Sequence, residues 1–282
     1  MSVQLQHSLL ADLPDSLLWS GRGWTDFAAM TPATRPLALL PVFGFADWGL
    51  GRSIDLEETL GCGVLRAMLA ADTAAARRLS ILPPLRFVLG PYPHSLFGID
   101  FETALDLVRE IGESIAAAGL RRLVFLNTSP WNEELMETCA CDLRAGLGLQ
   151  TFVIQLEALG LDLHPTRSTT RAVVQSVACA LTHRAPAETA ARGDSRLVDF
   201  RPGDHRQPPP LAWTRPLDVA VKDGWTALAD AGSRLARLLA EIAAHPPLPH
   251  DGAIPLQRAP RRAPRASTRT KAAPRKKGRR TS

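Results

Sequence analysis

Between Leu37 and Leu156 the chain alternates short apolar runs with helically spaced apolar residues, and that alternation restricts it to few architectures. "RRLVFLN" at 121–127 is a continuous apolar run of strand length, as a strand covered on both faces requires. "NEELMETCACDLRAGLG" then predicts a helix closed by Gly146 or Gly148, and "LQTFVIQL" at 149–156 predicts the next strand. Upstream, Leu105, Val108, Ile111 and Ile115 recur at three- and four-residue intervals, with acids and Arg109 on the other faces. A helix therefore spans about residues 101–118, ending at Gly119. Leu37–Phe45 and Arg86–Gly90 read as further strands, and Leu60–Ala71 as a helix. Strands and helices in series demand right-handed crossovers and a mostly parallel sheet, so the expectation is a three-layer α/β/α domain.

Two more helices complete the folded part, one over about 168–181 and one over 226–245, where Leu228, Leu235, Leu238, Leu239 and Ile242 form an apolar stripe. Between them "RPGDHRQPPPLAW" at 201–213 predicts an irregular connection, because proline removes backbone donors and restricts its neighbours. A chain of 282 residues that is 45% hydrophobic can bury a sizeable core. Its longest apolar runs fall well short of the roughly 18 residues that span a bilayer. The first residues include Asp12 and Asp15 and lack a basic leader before an apolar block, so the expected location is cytoplasmic. Cys62, Cys139, Cys141 and Cys179 show no paired C-x-x-C spacing and are expected to be buried free thiols.

The net charge of +5 conceals two opposite parts. Eleven Lys or Arg residues lie between Arg258 and Arg280, and no acid follows Asp251; removing those eleven from +5 leaves the first 257 residues at −6. The expected division is a folded domain over 1–245 and a Pro-, Ala-, Arg- and Lys-rich tail over 246–282. That tail is too poor in large apolar residues to offset the entropy of ordering and is expected to be disordered. Its charge suits a nucleic acid or another polyanion, while the acidic domain offers no wider surface for one.

In open α/β sheets ligands bind beyond the carboxyl ends of the strands, which draws Phe43–Asp55, the loop after Gly90 and Asn127–Asn132 toward one crevice. In the last of these, Ser129 is a good helix cap, Pro130 suits the first helical position, and Glu133 and Glu134 favour the positive helix end. A nucleophilic triad of Ser129, His183 and Asp55 would have the right residue types. Ser129, however, lacks the glycine-flanked elbow that exposes such a nucleophile.

Five segments in order resemble the creatininase family of metal-dependent amidohydrolases. "LLPVFGFADWGLGRSID" at 39–55 is similar to L-P-x-G-x-x-E-x-H-G followed by G-T-D, and "LGPYPHSLFGID" at 89–100 to a segment with a histidine before F-P-G-T. "VFLNTSPWN" at 124–132 takes the place of a strand and N-x-H-G-G-N loop. "HRAPAET" at 183–189 looks like H-A-G-x-x-E-T, and "VKDGWTALADAGSRLARLL" resembles the closing turn and helix. The resemblance implies a creatininase-like three-layer fold and a binuclear metal centre, in which two divalent cations activate water to open a small cyclic or linear amide.

Against that pattern Ala46 stands where a glutamate ligand would fall, and Trp48 and Ser129 stand where histidines would fall. Asp55 and Glu188 match metal-ligand positions, His183 matches the catalytic histidine, and His94 and Asn132 also match. The pocket expected from the resemblance thus contains Trp48, His94, Ser129 and Asn132. Methyl and indole groups donate nothing to a cation, so the expected protein has lost most of its metal site and serves as a binding or accessory protein. Family members assemble, so it is expected to pair with itself or with a related subunit. The alternative is an amidohydrolase with one zinc, manganese or iron on Asp55, Glu188 and a histidine, His183 relaying protons.

Overall fold

A computed structural model describes residues 13–31, 34–46, 48, 52–74, 78–90, 95–164, 169–183 and 220–246. The helices are α1 (Trp24–Ala28), α2 (Leu56–Ala71), α3 (Phe101–Ala117), α4 (Glu133–Leu147), α5 (Arg171–Thr182) and α6 (Val221–Ala244). The strands are β1 (Leu37–Phe43), β2 (Phe45–Ala46), β3 (Leu79–Ile81), β4 (Leu85–Arg86), β5 (Val88–Leu89), β6 (Ser95–Leu96), β7 (Gly98–Ile99), β8 (Arg122–Asn127) and β9 (Gln150–Gln155).

The main sheet is parallel, in the order β3-β1-β8-β9, with β4 pairing the carboxyl end of β1 at Val42 and Phe43. Side chains alternate along the two central strands and so divide the core. Leu37, Leu39, Phe43, Val124 and Leu126 face the layer of α2, α5 and α6, whereas Ala38, Leu40, Val42, Leu123 and Phe125 face the layer of α3 and α4. The expected three-layer α/β/α fold with a mostly parallel sheet is therefore observed.

Local chemistry accounts for the helix boundaries. Asp100 caps α3 by accepting from Thr103 N–H at 2.9 Å, and this bond, with the Thr103 hydroxyl, holds its carboxyl below the usual range. After α3 the chain turns at Gly119 with φ 83°, and α4 ends at Gly148 with φ 63°, both in the left-handed region that glycine adopts without penalty.

Three details correct the sequence reading. Helix α2 begins at Leu56 rather than Leu60, because Glu57 and Glu58, which resemble solvent-facing acids, are buried in its first turn. The run at 86–90 divides between β4, which pairs with β1, and β5, which pairs with β7; strand β3 had no distinct signal. Cys62, Cys139 and Cys179 are buried free thiols, but Cys141 is exposed, since residues two apart on a helix point to different faces. The tail and the connection at 201–213 lie outside the described residues. No helix among the described residues is long and apolar enough to cross a membrane.

Candidate functional site

Strand β1 leads through α2 to β3 on one side, and β8 lies on its other side, so the strand order switches direction between β1 and β8. Beyond the carboxyl ends of such a pair the two connections diverge and leave a crevice. Here Gly44 follows β1, and Thr128 and Ser129 follow β8, all of them buried.

The centre of this crevice is Glu57, which is fully buried in the first turn of α2. Its Oε2 accepts the Gly44 N–H at 2.9 Å, tying the start of α2 to the end of β1. Gly44 has to lack a side chain: a Cβ there would collide with Glu57 Oε2 and lie 2.6 Å from Ser129 Oγ. Burial pushes the Glu57 carboxyl up to about 8, outweighing the polar contacts from Ser129, the Gly44 N–H and Trp48 that favour its charged form. At neutral pH this group is therefore mostly a neutral acid, able to donate as well as accept.

Aromatic rings fill the neighbouring space. Trp48 is 2% exposed and stacks on Trp131, with ring centroids 6.4 Å apart and planes 8° from parallel. The His164 ring is tilted against Trp131, its centroid 6.1 Å away, and the His164 backbone N–H donates to Asp162 Oδ1 at 2.7 Å. Beside them a shallow cleft, with free space on the order of a single water molecule, is lined by Asn127, Ser129, Glu133, Gln155, Glu157 and Asp162. Asn127 Nδ2 donates to Gln155 Oε1 at 2.6 Å and to the Ser129 carbonyl at 2.8 Å, which fixes the β8 and β9 ends against each other.

Each residue singled out in the sequence has a definite place or lies beyond description. Ser129 occupies the cap position before Pro130, but its side chain makes no cap hydrogen bond; the hydroxyl instead faces Gly44 and Glu57. Asn132 is buried, with Oδ1 accepting from Leu89 N–H at 2.8 Å and Nδ2 donating to the Phe87 carbonyl at 2.9 Å, so its amide clamps β5. Asp55 is half-buried at the residue preceding α2. His183 is exposed just past α5, in the left-handed region with φ 54°. His94 and Glu188 lie outside the described residues. The crevice thus unites Trp48 and Ser129, with Asn132 behind them.

Glu57, Gly44, Asp162 and His164 were not anticipated. A signal for Glu57 did exist: its spacing of three, four and seven residues to Leu60, Gly61 and Val64 puts it on the apolar stripe of α2. Two further polar contacts, made by the buried Glu58 and Arg52, brace the site. Arg86 forms a two-pronged contact with Glu58 at 2.7 and 2.6 Å, which raises the arginine's pKa, and Arg52 donates to Cys179 Sγ at 3.0 Å, linking the loop before α2 to α5.

Among the described residues no three His, Cys, Asp or Glu side chains converge on one point that could hold a metal ion. The Glu57 carboxyl at the crevice is buried, near-neutral and already bonded to backbone, with the Trp48 indole beside it, while Glu133, Glu157 and Asp162 line the adjoining cleft. Alone, the described residues supply no ligand set for a two-metal centre, and the candidate ligand Glu188 lies outside them.

No protein-family model matches this sequence, and no curated protein does. Solved structures do match its fold. A creatinine amidohydrolase (creatininase) superposes with a TM-score of 0.59 at 16% identity, over 83% of this chain and 100% of that one. A manganese form of creatininase gives 0.57 at 17% identity, over 81% and 99%. A proposed creatinine amidohydrolase from Bacteroides fragilis NCTC 9343 gives 0.57 at 13% identity, over 84% and 100%. Identity this low establishes architecture alone, and the chain accordingly has a creatininase-like α/β fold.

Proposed function

We propose that this chain is a divergent relative of the creatininase family that has exchanged its metal centre for protein packing, and that it acts as a non-catalytic binding or accessory subunit. The observation that carries this reading is Trp48, 2% exposed and stacked on Trp131, at the position where the resemblance places a histidine ligand. An accessory role implies association with a second copy or a related subunit, through which a retained fold without its reaction would still be useful.

Elemental analysis of the purified full chain, after dialysis against zinc and manganese salts, tests this. The expected result is far less than one ion per chain, unchanged by Asp55→Ala. One tightly held ion per chain that disappears in Asp55→Ala would refute the reading and favour a mononuclear amidohydrolase built on Asp55 and Glu188.

A further inference from the structure

The acidity of the folded domain is concentrated on one layer. Helices α3 and α4 together carry eight carboxylates against Arg109 and Arg144, a net −6, whereas the formal charges of α2, α5 and α6 cancel when Glu57 is counted as ionised, so that layer carries no net negative charge. On α3, Glu102, Asp106, Glu110 and Glu113 recur at intervals of four, four and three, which places them in a single file. The first three are exposed, as are Glu134 and Glu137 on α4. Arg109 reaches Glu113 and Asp142 at 3.8 and 3.9 Å, but Glu102, Asp106, Glu110, Glu134 and Glu137 have no basic partner among the described residues. Leu107, 40% exposed, and Phe101, 42% exposed, stand on the same helix. This is a helix face with neither a neutralising nor a covering partner within the described domain.

The complementary charge is in the same chain. Helix α6 ends where the Ile242 and Ala243 carbonyls accept from Arg122 Nη1, and Arg122 opens β8, the strand that follows α3. The chain therefore leaves the described domain at the amino end of the sheet, the end at which α3 finishes. From Pro246 to Arg258 the backbone can reach about 40 Å when extended. The file from Glu113 to Glu102 is only about 17 Å long.

We infer that the basic segment Arg258–Arg280 docks in cis along the outer face of α3 and α4, so that the chain neutralises its own acidic layer. Occupation of that face would also compete with any polyanion for the same arginines and lysines. This inference does not depend on the crevice or on any metal.

Zero-length carbodiimide coupling of the full-length protein, freed of nucleic acid and mapped by mass spectrometry, tests it through Lys271, Lys276 and Lys277. The expected links join these lysines to Glu102, Asp106, Glu110, Glu134 or Glu137 within one molecule. They should be lost in about 1 M salt, where charges are screened within about 3 Å. They should also be lost in E102Q/D106N/E110Q, with the remaining links on α4 weakened. Tail lysines that couple to none of these acids, that couple equally to Asp223, Asp230 and Glu241 on α6, or that couple only between molecules would overturn the assignment. The wild-type map decides the question even if the triple variant folds poorly.

Discussion

Replacing Glu57 with glutamine isolates the energetic effect of a single buried proton. The carboxyl titrates near 8 in the folded chain and near 4.5 when solvated, so between these values the folded state holds a proton that the unfolded state has released. Stability from this group is fully present below about pH 4.5 and is lost as pH rises toward 8, by about 1.4 kcal/mol per unit in the middle of that range. Glutamine keeps a carbonyl oxygen for the Gly44 N–H and an amide for the Ser129 hydroxyl, but does not titrate. Relative to wild type, Glu57→Gln should therefore gain on the order of 3–4 kcal/mol between pH 5 and pH 8. Urea denaturation followed by tryptophan fluorescence at several pH values measures this difference, in which all other titrating groups largely cancel. A Glu57→Gln difference that stays flat from pH 5 to pH 8 would show that the carboxyl is ionised in the folded chain, and the account of the crevice would fail.

Two other outcomes follow from the same packing. Trp48→Ala should cost about 3–5 kcal/mol of stability in chemical denaturation, because it empties a large, nearly sealed volume beside Trp131; a loss under about 1 kcal/mol would mean that Trp48 is not part of the core. Iodoacetamide should label Cys141 in the native protein and leave Cys62, Cys139 and Cys179 unmodified until denaturant is added, as mass spectrometry would read directly. Cys139 should be the slowest of all even in partially opened states that retain α4, since burial pushes its thiol up to about 12 and the thiolate is the reactive form.

The elements best read from sequence were those whose signal is local. Helix α3 shows its stripe, its Asp100 cap and its terminal glycine within some twenty residues, and β8 and β9 are unbroken apolar runs on either side of a punctuated helix. Strand β3 failed that test because it is three residues long and exists only by pairing Leu37, Ala38 and Leu39 with Leu79, Ser80 and Ile81. Asn132 was anticipated as a pocket residue, yet its side-chain amide is engaged by the backbone at Phe87 and Leu89, more than forty residues away. Ser129 was anticipated as a cap, yet its hydroxyl turns to a carboxyl on a different helix.

The amino-acid order alone determined the alternation of strands and helices and the gathering of eleven Lys or Arg residues between Arg258 and Arg280 behind an acidic stretch. These depend on period, composition and residue type, which no folding event alters. Tertiary structure decided what occupies the crevice: Glu57 drawn under Gly44, Trp48 laid on Trp131, and the reversal of strand order between β1 and β8 that brings them together. Those outcomes depend on contacts between residues from 13 to more than 80 positions apart. No local pattern encodes them, because each partner's environment is created only when the other arrives.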